Sequence, residues 1–179
     1  MRALKFIGIF IGALVTLVVL AAAGLWVWAG TQASVDWALE RAAQSQDIHA
    51  QGVEGSLRGG LKAAHIVWQK DGLKVEAFDA ELAWQPLAIV RAMLDISRLH
   101  AARIRVEDSR PDQPKKIPAN LRLPLRVEAP DVRVGQLQWV TPRQQAEVSG
   151  IAGAYSFNGV SHHVKLASAQ WMQGSFSGE

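Results

Sequence analysis

The side chains with chemistry to offer are few and scattered. His162-His163 is the one histidine pair, and paired imidazoles are a common start for a zinc site. On a strand, neighbours point to opposite faces, so the two read as surface or interface histidines and not as ligands of one ion. His49, His65 and His100 stand alone. Gly55-Ser56-Leu57-Arg58-Gly59-Gly60-Leu61-Lys62 brushes against a phosphate-binding loop, but the required Gly-Lys-Ser/Thr is replaced by Gly60-Leu61-Lys62. A hairpin is the ordinary reading. Ser56 and Ser175 both lack the glycine two residues earlier that a nucleophile elbow needs. Asp79, Glu81 and Asp95 fall near element ends, where solvated charge is the default, and no acid–base pair stands out. With no cysteine there is no thiol catalysis, disulfide scaffold or Cys-ligated zinc. No catalytic residue, cofactor site or metal site is assigned, and the chain reads as not an enzyme.

The elements that carry these residues begin with an apolar run. Phe6–Ala29 contains no charged residue, and thirteen of its positions are Leu, Ile, Val or Phe. It would make roughly 36 Å of helix, enough to cross a bilayer, with about 4–8 kcal/mol favouring insertion. The anchor is read on Phe6, Ile7, Ile9, Phe10, Leu14, Leu17 and Leu20, with Trp26 and Trp28 at the interface. Arg2 and Lys5 precede the run, which predicts a cytoplasmic N-terminus (residues 1–5) and export of everything beyond residue 30. A cleaved signal peptide is the competing reading, with Ala21-Ala22-Ala23 as the cleavage site. Apolarity continuing from Leu25 to Ala29 favours the anchor. Gly8 and Gly12 match a helix-packing spacing, more simply read as incidental glycines.

Beyond the run, 17 of the 19 Lys+Arg face 16 acids, so the excess charge is about +1 and nucleic-acid binding has no electrostatic basis. Thr31–Ser45 is expected as a juxtamembrane helix with Val35, Leu39 and Ala42 on one stripe. Residues 46–179 then read as one β-rich region. Strands are expected at His49–Arg58, Leu61–Gln69, Leu73–Trp84, Ile96–Glu107, Leu121–Glu128, Val132–Thr141, Gln145–Phe157 and His162–Phe176. Leu123, Leu125 and Val127 alternate with polar neighbours, as do Val164 and Leu166. The phase slips at Ala77–Phe78 and near Gly135, where a bulge or bend would fit. Arg58-Gly59-Gly60 and Lys70-Asp71-Gly72 suit hairpin turns. Pro86 suits the first turn of a short helix on which Leu87, Val90 and Leu94 share a face. Asp108–Pro118 is a charged, proline-rich loop. Trp68, Trp84, Trp139 and Trp171 punctuate strands and are expected chiefly to fill a core, with a groove lining as the alternative.

Four features in order resemble the N-terminal region of the TamB family, AsmA-like inner-membrane components of the bacterial translocation and assembly module. They are the apolar anchor, Val53-Glu54-Gly55-Ser56-Leu57-Arg58-Gly59-Gly60-Leu61, Leu82-Ala83-Trp84-Gln85-Pro86-Leu87, and Leu123-Pro124-Leu125-Arg126-Val127. The resemblance implies a mainly β fold: a transmembrane helix, then a curved, antiparallel-rich sheet forming an open trough, with one short inserted helix. It implies a single-pass inner-membrane protein whose bulk is periplasmic, assisting outer-membrane protein assembly or phospholipid transport. Its partners would be acyl chains or outer-membrane protein clients. An outer-membrane barrel of the TamA type would be met through a C-terminal domain not present here, and Glu179 would then end a fragment. The apolar groove is placed on Leu125, Val127, Val132, Val134, Val164 and Leu166. A self-contained anchored adaptor, binding another envelope protein through its sheet edge or the His162–Phe176 strand, is the alternative.

Overall fold

A computed structural model describes residues 2–110, 123–171 and 174–178, with the backbone alone for residues 2–11, 45–46 and 174–178. The apolar run forms α1 (Arg2–Trp28). Leu, Ile, Val and Ala dominate it, no proline interrupts it, and its side chains from Gly12 to Val27 are all exposed. Phe6, Ile7, Ile9 and Phe10 lie outside the side chains described. A break at Ala29–Thr31 leads into α2 (Gln32–Gln46), which ends where Asp47 takes a left-handed backbone, φ 51°. On α2, Val35 is buried and Leu39 and Ala42 are half-buried, which is the stripe expected.

Eight strands follow in one sheet, ordered as in the chain: β1 (Ile48–Ser56), β2 (Gly60–Lys70), β3 (Leu73–Gln85), β4 (Met93–Asp108), β5 (Arg126–Val140), β6 (Gln145–Phe157), β7 (His162–Trp171) and β8 (Gly174–Gly178). Each neighbouring pair is antiparallel except β4 and β5, which run parallel with a constant register from Met93↔Arg126 to Glu107↔Val140. A parallel pair needs a crossover and not a hairpin; the expected charged loop Asp108–Pro118 lies, from residue 111 on, outside the described residues. Among the described residues the sheet is open, with β1 and β8 at its edges. The hairpins form where glycine allows: Gly60 has φ 96°, and Asp71 and Gly72 have φ 50° and 80°.

Three expectations are corrected. Leu121–Glu128 and Val132–Thr141 are not two strands; their described residues from Arg126 onward make the single strand β5, passing through Pro130 at a register shift between Ala129 and Val132. The helix entered at Pro86 is one 3₁₀ segment, Pro86–Arg91, closed by Ala92 at φ 53°. It buries Ala88 and turns Leu87 and Val90 to solvent, while Leu94 belongs to β4. Expected as one strand, His162–Phe176 contributes to both β7 and β8.

Very little is buried. Among the described residues, Phe157, Val35, Ala63, Ala88, Ala129, Val127, Val106 and Ala169 are the buried apolar ones, most of them small. The chain exposes 13200 Å², against about 8,500 Å² for a globular protein of this mass. The bare helix α1 accounts for part of the excess. Among the described residues α2 packs on the sheet against β1, which leaves most of it without a second layer.

Candidate functional surface

Cross-strand register sorts the sheet into two unlike faces. Ala50, Ile66, Ala77, Ile104, Leu137, Val148 and Trp171 pair in one continuous row from β1 to β7. Ile48, Trp68, Val75, Val106, Trp139 and Ala146 form a second. Further along the strands, Gly55, Leu61, Leu82, Leu99, Val132, Gly153 and Leu166 form a third. Ala101, Val134 and Ile151 lie in a fourth. Between these rows run polar ones, such as Glu54, Lys62, Glu81, His100 and Arg133.

Strict alternation would send these apolar rows to opposite faces, because they fall on even positions in one half of each strand and odd positions in the other. The backbone corrects this. Along one line across the sheet, Gly52, Ala64, Asp79, Ala102, Gly135 and Gly150 drop out of the ladder while the register immediately on either side of the line is the same, save the pairing of Ser149 and Ala152 with β7. Gly52 and Gly150 have φ 61° and Asp79 has φ 49°. A residue in such a conformation withholds the usual half-turn of the strand, so side chains three apart across it look the same way. All the apolar rows therefore share one face. In β4 the result is a two-then-three spacing, Leu94, Ile96, Leu99, Ala101, Ile104 and Val106. Its parallel partner repeats it with Val127, Ala129, Val132, Val134, Leu137 and Trp139.

The six residues assigned to a groove are not equivalent. Val132, Val134 and Leu166 are half-buried members of the apolar rows, and Val164 lies opposite Tyr155 and is 66% exposed. Val127 is buried opposite Leu94 and Phe157, so it belongs to the small packed cluster and not to an open lining. Leu125 precedes β5 and is half-buried. None of the four tryptophans fills a core. Trp139 and Trp171 are exposed on the apolar rows, and Trp68 and Trp84 are half-buried.

The other face carries charge held by neighbours. Arg98 Nη1 lies 2.7 Å from Glu81 Oε1, with Lys62 Nζ at 3.8 Å. His100 Nε2 is 2.9 Å from Asp131 Oδ2, and Arg133 Nε is 2.7 Å from Oδ1 of the same carboxylate. His65 and Lys74 both approach Glu76 Oε1, at 3.3 and 3.0 Å, and His65 stacks on Phe78, whose ring also lies under Arg103. Hydrogen bonding from Arg98 holds the Glu81 carboxyl below its usual range. Burial alone would raise Glu76 and Asp131, but their hydrogen bonds and nearby cations outweigh it and lower both. These are solvated ion pairs of modest worth each.

Among the described residues, no three or more His, Cys, Asp or Glu side chains gather as a metal site would require. His162 stacks on Phe157 and its Nδ1 lies 2.8 Å from the Tyr155 hydroxyl, while His163 sits opposite Ser156.

A second cluster, unforeseen in the sequence, joins the helices to β1. The loop-like stretch Gly55–Lys62 makes the β1–β2 hairpin, whose turn grips the α1–α2 break. Arg58 donates from its backbone N–H to Ala29 O (2.9 Å) and from Nη1 to Trp26 O (3.2 Å), with its guanidinium 5.3 Å from the Trp26 ring centroid. Ser34, fully buried, donates to Thr31 O (2.7 Å) and accepts from Leu57 N–H. Gln32 acts as a surrogate strand: its Nε2 donates to Val53 O and its Oε1 accepts from Gly55 N–H, closing the β1 edge. Among the described residues no single helix is long and apolar enough to cross a membrane; Gly12–Trp28 with Gln32–Gln44 qualifies only as a pair bent by 83°.

An open single-layer sheet with one charged face, one apolar face and an apolar helix fixed to its first strand defines a class of amphipathic, non-globular β protein. The profile described as TamB, N-terminal domain, matches residues 19–177, and the chain belongs to the TamB family. No curated protein and no solved structure matches it.

Proposed function

We propose that this chain is the membrane-anchored N-terminal part of a TamB-like envelope biogenesis factor that shelters amphipathic cargo on its apolar sheet face. The observation that carries the reading is the set of apolar rows crossing the sheet on one side, with no second layer over them among the described residues. Acyl chains, or the apolar strands of outer-membrane protein clients, gain about 25 cal/mol for each Å² they bury there. No bond is made or broken. The charge-free run Phe6–Ala29, behind Arg2 and Lys5, supports a single-pass inner-membrane anchor with the sheet in the periplasm. Family membership supports a barrel partner in the outer membrane. An adaptor working through the first strand edge is less favoured, because Gln32 already occupies it.

Photocrosslinking tests the reading. Benzoylphenylalanine at Val134 and Leu166 in the full chain, in membranes, is expected to capture phospholipid or client protein, while the same residue at Arg105 captures neither. Equal capture from both faces would sink the proposal.

A further inference from the structure

Nothing in the apolar rows accounts for the outer side of α2. This helix buries Ser34 and Val35 and half-buries Ala38, Leu39 and Ala42 toward β1. The opposite stripe, at helical spacing, is Ala33, Trp37, Arg41 and Gln44, all exposed. Trp37 is 56% exposed, and its ring meets Trp28 edge-on with centroids 5.8 Å apart. A large aromatic displayed there gains little from water. It suits the headgroup layer of a bilayer, where an apolar body and a polar N–H are both satisfied.

The bend places it at that level. Gln32 bonds Val53 and Gly55 near the end of β1, and Asp47 O accepts from Gln69 N–H beside its start, so α2 lies along the strand. α1 leaves α2 at 83°. A spanning α1 tilted by about 20° then holds α2 close to the plane of the membrane surface. Arg58 adds the charge. It is exposed at the C-terminal end of α1, where the helix dipole favours a cation, and Trp26 O takes one of its side-chain N–H groups. Arginine carries five such donors, so others are available to a lipid phosphate. Asp36 lies to the flank, bonded by Gln32 Nε2 at 3.1 Å, and leaves the stripe itself without an acid other than Glu40 at its margin.

We infer that the α1–α2 corner is a bilayer-docking surface, in which Trp37 and Trp28 sit at headgroup depth and Arg58 pairs with lipid phosphate. It rests on the anchor reading above and goes beyond it: the helix bend and the β1–β2 hairpin set the sheet rigidly against the membrane surface, with strand β1 nearest the lipid.

The chain has no cysteine, so single-cysteine labelling is clean. Leu17→Cys, Ala33→Cys, Gln44→Cys and Gln170→Cys, each carrying an environment-sensitive fluorophore, are compared in the full chain reconstituted in phosphatidylcholine–phosphatidylglycerol vesicles. Labels at 33 and 44 are expected to be quenched by lipids brominated near the headgroup and shielded several-fold from aqueous iodide relative to 170. Trp37→Ser with Arg58→Gln should remove that shielding, and Arg58→Lys should keep most of it. Iodide access at 33 and 44 equal to that at 170, with 17 still lipid-protected, overturns the docking surface and leaves the anchor standing. Shielding that survives the Trp37→Ser, Arg58→Gln pair overturns the assignment to those side chains. Iodide access at 17 overturns the anchor and the docking surface together.

Discussion

Val164→Asp separates a working surface from a hidden core. Val164 stands on the apolar face of β7 and keeps 66% of its surface exposed. Full burial of such a side chain is worth about 1.5–3 kcal/mol, so the third that is covered accounts for roughly 0.5–1 kcal/mol. Aspartate in a strand adds up to about 1 kcal/mol. The carboxylate remains hydrated, so no desolvation cost enters, and the loss should stay below about 2 kcal/mol. Phe157→Ala is the contrast: at 1% exposed, beneath the stacked His162 ring, it should cost about 3–5 kcal/mol. Both are measured by denaturant unfolding of the detergent-solubilised chain, followed by tryptophan fluorescence. Val164→Asp should also lose captured lipid in the crosslinking experiment, while remaining folded. A destabilisation matching that of Phe157→Ala would refute the reasoning, since it would mean the apolar face is covered by protein.

The line where the strands leave the ladder makes its own prediction. A Cβ on Gly135 would lie 2.5 Å from Ala102 O, a backbone atom of the parallel neighbour, so Gly135→Ala should cost about 1–3 kcal/mol in the same unfolding assay. At Gly150 the nearest side-chain atom is 3.8 Å away but φ is 61°, and Gly150→Ala should cost about 1–2 kcal/mol through the backbone alone. A loss under half a kcal/mol at both would remove the kinked line from the account. Acid should also loosen the charged face. The Glu76, Glu81 and Asp131 carboxyls are lowered in the folded chain, so the stability they lend is present above the usual carboxylate range and is lost as pH falls below about 4. Glu76→Gln should flatten the fall in stability between neutral and acid pH, and an unchanged slope would show that the cluster around it contributes nothing.

The hairpin turns and the apolar N-terminal helix were legible because each has a local cause, whereas the merging of two expected strands into β5 and the division of another between β7 and β8 were not. Gly60, Asp71 and Gly72 take the backbone their turns need, and a charge-free run needs no partner to become a helix. The phase slip suspected at Ala77–Phe78 falls at Asp79, and the one near Gly135 at Gly135 itself. What was missed is that the slips align. Two-then-three spacing was present in Leu94–Val106 and again in Val127–Trp139, but its meaning depends on register, and register is a property of pairs of strands. The same holds for Ser34, Gln32 and Arg58. Their partners lie 21 to 32 residues away, and nothing local distinguishes them from ordinary polar residues. Placing the tryptophans in a core assumed a second layer that the described residues do not supply, and Trp139 and Trp171 are exposed.

An uncovered apolar face has a thermodynamic consequence. In a sandwich, the second sheet removes such rows from water whether or not a ligand is present. Here Leu99, Trp139, Val164 and Trp171, at 41, 39, 66 and 49% exposed, gain that burial only when something else lies on them. On the proposed function, cargo would bind the folded chain and find no matching surface on the unfolded one, so occupancy is expected to stabilise the fold. At a hundredfold excess over its dissociation constant, a monomeric amphiphile adds about 2.7 kcal/mol, or roughly 5–10 °C in the unfolding midpoint for a chain of this size. The gain should follow acyl-chain length and hardly change with headgroup, and Val164→Asp should reduce it. A midpoint indifferent to lysophospholipid from well below to near its critical micelle concentration would show that the rows are not a binding surface, and their alignment across seven strands would then need another cause.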